Sequence, residues 1–188
     1  MEDRNPDERA VLVPGGLEAS YRTLFGLVPE NLAEDILQAV LAVPQAIFFR
    51  EGKPRKDEIK EFDREFAEAL FDPLGWDDVE FPFRPFSDTW FKIDVASPRR
   101  KILIEIEKGK LPRLELDVLK LASTCCQFPQ QWQIGAIIVP STYIRLPLAG
   151  RETPAEYLLR LTALIRPILT ACEVYGLLLV SYKDPRGG

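Results

Sequence analysis

The sequence predicts an α/β fold in which a mixed central sheet is flanked by helices, and two stretches carry that expectation. Alternating runs on either side of Ser97-Pro98-Arg99-Arg100, whose proline and polar neighbours are turn formers, read as a β-hairpin from Phe91 to Gly109. Gln133 to Val139, a nearly unbroken apolar run bounded by Pro140, reads as a strand buried on both faces of a sheet. Around them, apolar residues recur at helical spacing. A meander joined to α-β units puts helices on both faces of one sheet.

Composition narrows the class further. With 188 residues, 46% hydrophobic and 28% charged, the chain suits a single compact domain over 1–188. No apolar run approaches the roughly 20 residues of a membrane span. The opening Met1-Glu-Asp-Arg-Asn-Pro-Asp-Glu-Arg9 is too charged for a signal peptide, so a cytoplasmic address and no membrane partner are expected. Cys125, Cys126 and Cys172 form neither a disulfide framework nor a metal-binding spacing, and are read as buried thiols. The absence of histidine removes Ser-His-Asp and Cys-His hydrolases, His-ligated zinc enzymes and nucleases with a histidine base. Chemistry run by carboxylates, lysine and a hard metal survives. The net charge of −5 argues against indiscriminate coating of nucleic acid, but not against a cleft lined locally by Lys and Arg.

Residues 1–28 carry no firm period and hold Pro14-Gly15-Gly16, which predicts a loosely ordered lead-in with a short helix around Leu17 to Leu24. Asn31 to Val43 reads as a helix capped by Asn31 and stopped by Pro44, with Leu32, Ile36, Leu37, Val40 and Val43 on its apolar face. A second helix, from about Pro54 to Phe71, buries Ile59, Phe62, Phe66 and Leu70. Its acids Glu58, Glu61, Glu65 and Glu68 also share helical spacing, and form either a wall of a neighbouring site or a solvated face. Asp72-Pro73-Leu74-Gly75 ends the helix. Val79 to Phe86 alternates but contains Pro82 and Pro85, which restricts it to an edge strand.

After the hairpin, Gly109-Lys110-Leu111-Pro112 breaks the strand and a helix runs from Pro112 or Arg113 to about Phe128. Leu114, Val118, Leu121, Ala122 and Cys125 form its buried stripe, while Arg113, Asp117 and Lys120 gather on another face. Thr153-Pro154-Ala155-Glu156 is a capping box with proline at N1. Its helix continues to about Cys172, bent at Pro167, with Leu158, Leu161, Ile165 and Leu169 inward. Tyr175 to Tyr182 supplies a last strand, and residues 183–188 a frayed tail.

The chemistry sits in the hairpin. Side chains at i and i+2 of a strand share a face, so Ile102, Ile104 and Ile106 point one way and Leu103, Glu105 and Glu107 the other. Across the turn, Asp94 lies on the face opposite to Ile93 and Val95, and register can bring it near Glu105 and Glu107. Carboxylates brought this close raise one another's pKa and oppose folding unless a cation compensates them. Mg²⁺ takes such oxygen ligands, often one or two carboxylates with water and substrate phosphate. An ordinary strand with one solvated face would also read Ile-Glu-Ile-Glu-Lys.

The order of elements, with Asp94 in one hairpin strand and Glu105-Ile106-Glu107 in the next, resembles the PD-(D/E)XK nuclease superfamily over about residues 54–140. The resemblance implies a restriction-endonuclease-like αβββαβ core with an extra C-terminal α-β unit. It equates Asp94 with the metal-bridging Asp and Glu105 with the second metal ligand, with the Ile106 carbonyl as a third. Glu107 stands where most members have Lys, a departure similar to that of BamHI/BglII-type restriction enzymes. The segment Leu114-Glu-Leu-Asp117-Val-Leu-Lys120-Leu121 also looks like theirs.

What the resemblance implies is Mg²⁺- or Mn²⁺-assisted hydrolysis of DNA phosphodiester bonds, with no organic cofactor. In this scheme Glu107 orients the attacking water or holds a second ion. Lys108 serves only if the strand bulges near Gly109, and Lys110 reaches back after such a bulge. Phosphate contacts come mainly from Arg and Lys. The candidates are Arg99, Arg100 and Lys101 at the hairpin tip, Arg50, Lys53, Arg55 and Lys56 before the second helix, and Lys110, Arg113 and Lys120 beyond the acids. Double-stranded DNA would be the partner, and cutting both strands implies a homodimer. Two alternatives stand beside the endonuclease: a non-catalytic protein of this fold that binds nucleic acid or a protein partner, and an α/β protein whose acidic hairpin is plain surface.

Overall fold

A computed structural model of the chain describes residues 9–12, 18–44, 56–86, 91–107, 111–140 and 153–183. Runs rich in Ile, Leu and Val become the centre of the sheet, because every position there is covered from both sides. Strands β4 (Ile102–Ile106) and β5 (Ile134–Pro140) are buried at every residue. They pair in parallel, Glu105 opposite Ile137, and β5 pairs in parallel with β6 (Gly176–Lys183). β3 (Val95–Ser97) joins β4 antiparallel through the turn at Pro98 to Lys101, with Val95 opposite Ile104 and Ser97 opposite Ile102. The buried strand stands as the sequence predicts, and the hairpin turns where expected but is shorter than Phe91 to Gly109, with Asp94 just outside β3.

The amino-terminal segment departs from expectation. Residues expected to form a loose lead-in with a short helix instead supply β1 (Arg9–Leu12) and β2 (Glu18–Gly26), and β2 pairs antiparallel with β6. Ala19 and Tyr21 alternate into the core, which is strand periodicity, and it outweighs the local helix tendency because β6 offers an open edge. The result is a six-stranded mixed sheet in the order β1-β2-β6-β5-β4-β3. At the far end of β2, Gly26 has a φ of 61° and a Cβ there would lie 2.0 Å from the Tyr175 carbonyl oxygen, so only glycine fits.

Helices cover both faces. α1 (Glu30–Ala42) and α2 (Lys56–Phe71) pack over Val95, Ile102, Ile104, Ile106, Ala136 and Val180. α3 (Leu111–Gln127) and α4 (Pro154–Ala171) pack over Ala96, Leu103, Ile137 and Leu179. Strand alternation thus sorts the even residues of β4 to the α1–α2 side and Leu103 and Glu105 to the α3–α4 side. The capping box at Thr153 forms as read, with Thr153 Oγ1 accepting from the Glu156 N–H at 3.2 Å, and α4 runs through Pro167.

Several boundaries are corrected. Pro29 rather than Asn31 stands at the N-cap of α1, and no side chain caps it. Lys183 closes β6 instead of opening a frayed tail; 184–188 lie outside the described residues. Val79 to Phe86 contributes isolated bridges, Glu80 to Ala96 and Phe83 to Ile93, the edge role its prolines allow. No helix among the described residues is long and apolar enough to cross a membrane.

Candidate functional site

The pairing of β3 with β4 stops one residue short of Asp94, and the Asp94 side chain takes over where the backbone leaves off. Its Oδ2 accepts the Ile106 N–H at 2.9 Å, satisfying a donor that the short strand β3 leaves without a backbone partner. N–H and C=O of one strand residue face the same edge, so the Ile106 carbonyl also faces the Asp94 side. Glu105 points to the opposite sheet face from Ile104 and Ile106, toward α3, and is 2% exposed.

Helix α3 completes the site. Its Lys120 ammonium donates to Glu105 Oε1, lies 2.8 Å from Asp117 Oδ1 and reaches the Lys92 carbonyl oxygen at 3.4 Å. Asp117 and Lys120 are three apart and therefore share a helix face, while Leu114, Val118 and Leu121 anchor that helix to the sheet. One largely covered lysine thus pairs with Glu105 and Asp117, and the charge of Asp94 is felt by both of those carboxyls.

The charge balance is unfavourable for Glu105. Burial first, then the nearby charges of Asp94 and Asp117, push its carboxyl up to about 9 against the opposing pull of Lys120. Burial also raises Asp117, against Lys120 and the neighbouring Arg113. For Lys120, burial acts to lower the pKa, but the attraction of Glu105 and Asp117 outweighs it and the ammonium is held more tightly than usual. With its carboxyl this high, Glu105 keeps its proton near neutral pH, and the charged form is the costly one. A divalent cation would favour that charged form.

Glu107 goes elsewhere. Beyond Ile106 the strand pairing ends, the Glu107 N–H donates to the Ile138 carbonyl oxygen at 2.9 Å, and its charge falls on the buried Tyr182 phenol, which packs on Phe62 of α2. The convergence of Asp94, Glu105 and Glu107 expected from register does not form, and among the described residues no three acidic or cysteine side chains make a metal-holding group. The observed partner of Asp94 and Glu105 is Asp117. Its spacing to Lys120 is visible in the sequence; that α3 lies across the end of β4 is not.

The basic candidates divide. Arg99 and Arg100 at the hairpin tip hold the preceding loop: Arg99 Nη1 meets Asp77 at 2.5 and 2.7 Å, and Arg100 contacts Asp78 at 3.2 Å and stacks over Trp76 at 4.4 Å. Together with Lys101 they lie at the start of β4, whereas Glu105 and Ile106 end it. At about 3.3 Å per residue that separation is roughly 13 Å or more, so the tip does not border the acidic cluster. Arg113, exposed and one turn from Asp117, does. Glu61, Glu65 and Glu68 of α2 surround Arg64 at 2.9 to 3.9 Å on the surface, the solvated face of the two readings. Arg50, Lys53, Arg55, Lys108 and Lys110, and the side chains of Lys56, Glu58 and Ile59, lie outside the described residues. No protein-family model matches the chain, and no curated protein matches it.

Proposed function

We propose that the chain is a metal-dependent endonuclease of restriction-enzyme type, acting on DNA phosphodiester bonds at the cluster of Asp94, Glu105, Asp117 and Lys120. The observation that carries the reading is Lys120, a helix lysine whose ammonium reaches into the acidic cluster from α3. It offers the cation expected at position 107 from a different element. The order α2, edge bridge, β3, β4, α3, β5 is compatible with a restriction-endonuclease-like core and supports the same reading.

The donor set fits a hard cation. Asp94 and Glu105 supply carboxylate oxygens, the Ile106 carbonyl faces the same edge, and Mg²⁺ asks for no more than one or two carboxylates with water and phosphate. Bound there, Mg²⁺ or Mn²⁺ would acidify an attacking water and withdraw charge from a phosphate oxygen. Asp94 and Glu105 would hold the ion, and ionising Glu105 would become favourable once the cation offset its burial. Lys120, kept protonated by Asp117, donates to the phosphate as negative charge develops. Arg113 meets a neighbouring phosphate from the exposed side of α3. Glu107, beside Tyr182, takes no part.

The same ammonium favours a second reading. Lys120 already compensates Glu105, so a non-catalytic protein of this architecture that binds nucleic acid or a protein partner could retain the lysine as a permanent stand-in for the ion. Plasmid nicking separates the two. The endonuclease requires Mg²⁺- or Mn²⁺-dependent nicking that vanishes in Asp94→Ala and Glu105→Ala and falls about 100-fold in Lys120→Ala, judged from the loss of one charge-stabilising donor. DNA binding without metal and without cleavage would select the second. Linear product formed together with nicked circles, by a species sedimenting as a dimer, is the expected sign of paired sites.

A further inference from the structure

Two apolar surfaces on opposite faces of the sheet stand open to solvent, away from the acidic cluster. On the α1–α2 side, the last turns of α2 and the edge segment that follows form a groove of about 540 Å³ lined by Arg64, Glu68, Phe71, Asp72, Val79 and Phe81. Its aromatic walls stand in water, Phe71 being 59% and Phe81 41% exposed. The rim is acidic: Arg64 is ringed by Glu61, Glu65 and Glu68, and Asp72 follows, four acids to one base. On the α3–α4 side the helices present a convex ridge. Leu164 and Ile168, one turn apart on α4, are 68% and 46% exposed, and Leu116 and Leu119 of the neighbouring α3 are exposed as well. From Tyr157 to Cys172 the chain carries Arg160 and Arg166 and no acid. At the head of the ridge, Glu156 is taken up by the Thr153 cap, and Glu115 by the Tyr157 hydroxyl that joins the two helices. Cys126 also opens on this layer and Cys172 is partly covered, so of the three cysteines read as buried thiols only Cys125 is fully buried.

We propose that the α4 ridge of one molecule seats in the α2 groove of a second copy of this chain, so that molecules associate head to tail. Shape and charge both select this pairing. A helix lays exposed aliphatic side chains four residues apart into an apolar groove, here Leu164 and Ile168 between Phe71 and Phe81. Arg160 and Arg166 come against the acidic rim, an attraction that steers the encounter and fixes its orientation. Ridge against ridge would bring the arginines of one copy onto those of the other, and groove against groove would join two acidic rims. Both alternatives oppose like charges. Because α2 and α4 lie on opposite faces of the sheet, a molecule's own ridge cannot enter its own groove, and a molecule bound through one surface still offers the other. The contact is therefore heterologous and can repeat from copy to copy. It is independent of the chemistry at Glu105.

Sedimentation of the full chain at several concentrations, beside two variants that each lack one surface, tests the proposal. Leu164→Glu with Ile168→Glu removes the ridge, and Phe71→Ser with Phe81→Ser removes the groove; all four side chains are exposed, so the core is untouched. The wild-type chain is expected to gain mass as concentration rises, with an association constant that falls at least about tenfold between about 50 and 500 mM salt as the charges are screened. Each variant alone keeps a constant mass. An equimolar mixture of the two associates again, because one retains the groove and the other the ridge. Glu68→Lys with Asp72→Lys, which leaves every apolar side chain of the groove in place, weakens the association of the otherwise wild-type chain. A wild-type mass that does not change with concentration, a single-surface variant that still gains mass on its own, or a mixture that stays apart would each overturn it.

Discussion

Glu105 is the residue on which most depends, because burial makes its charge expensive and its neighbours make it more so. Without a cation its carboxyl is held up to about 9, whereas the unfolded chain releases the same proton near its ordinary value of 4.5. Between those values the folded state binds the extra proton, so stability is greatest below about pH 4.5 as far as this group is concerned and is lost as pH rises toward 9. Urea midpoints measured in chelator should therefore fall from pH 5.5 to pH 8.5, and Glu105→Gln should flatten that slope. Lys120→Met leaves Glu105 and Asp117 around an apolar stem. It should cost roughly 3 kcal/mol, the order found when one partner of a buried pair is removed, and Mg²⁺ should restore part of the loss. Glu105 was legible in the sequence because strand alternation fixes its face, and Asp94 because the short turn brings it alongside the end of β4, although it lies just outside β3. Glu107 was misplaced since alternation holds only while the strand is paired, and pairing stops at Ile106.

Among the elements, the hairpin and α3 decide where the chemistry can be. The hairpin turn is held from outside: the buried Ser97 hydroxyl donates to both oxygens of Asp78 at 2.9 Å, and the Arg99 N–H donates to the same carboxylate at 2.6 Å. Asp78→Ala should cost about 2 kcal/mol in chemical unfolding by leaving that hydroxyl without its acceptor. Arg99→Ala should leave DNA affinity unchanged within twofold in a filter-binding titration, whereas Arg113→Ala weakens it and reduces its salt dependence. The sequence showed these arginines as a basic group; their acceptors, Asp77 and Asp78, lie some twenty residues earlier and no local pattern links them. The strands β1 and β2 were missed for a related reason. Ala19 and Tyr21 alternate, but the edge of β6 that turns this into a strand comes from the other end of the chain.

For the whole molecule, the sheet stacks its buried parallel centre between two helical layers and leaves the acidic cluster at the carboxyl end of β4, where α3 crosses. Folding thus makes the charged form of Glu105 costly, and a cation that favours that form should stabilise the entire domain. At about 100 times its dissociation constant, Mg²⁺ should add roughly 2.7 kcal/mol, a melting shift of about 5–10 °C that Asp94→Asn and Glu105→Gln abolish. Anomalous scattering from a crystal soaked in Mn²⁺ asks the central question without relying on activity. The account predicts one strong peak between the carboxylates of Asp94 and Glu105, within about 2.2 Å of an oxygen from each. A map with no peak there, or with the Lys120 ammonium still seated on Glu105 at saturating Mn²⁺, would contradict it.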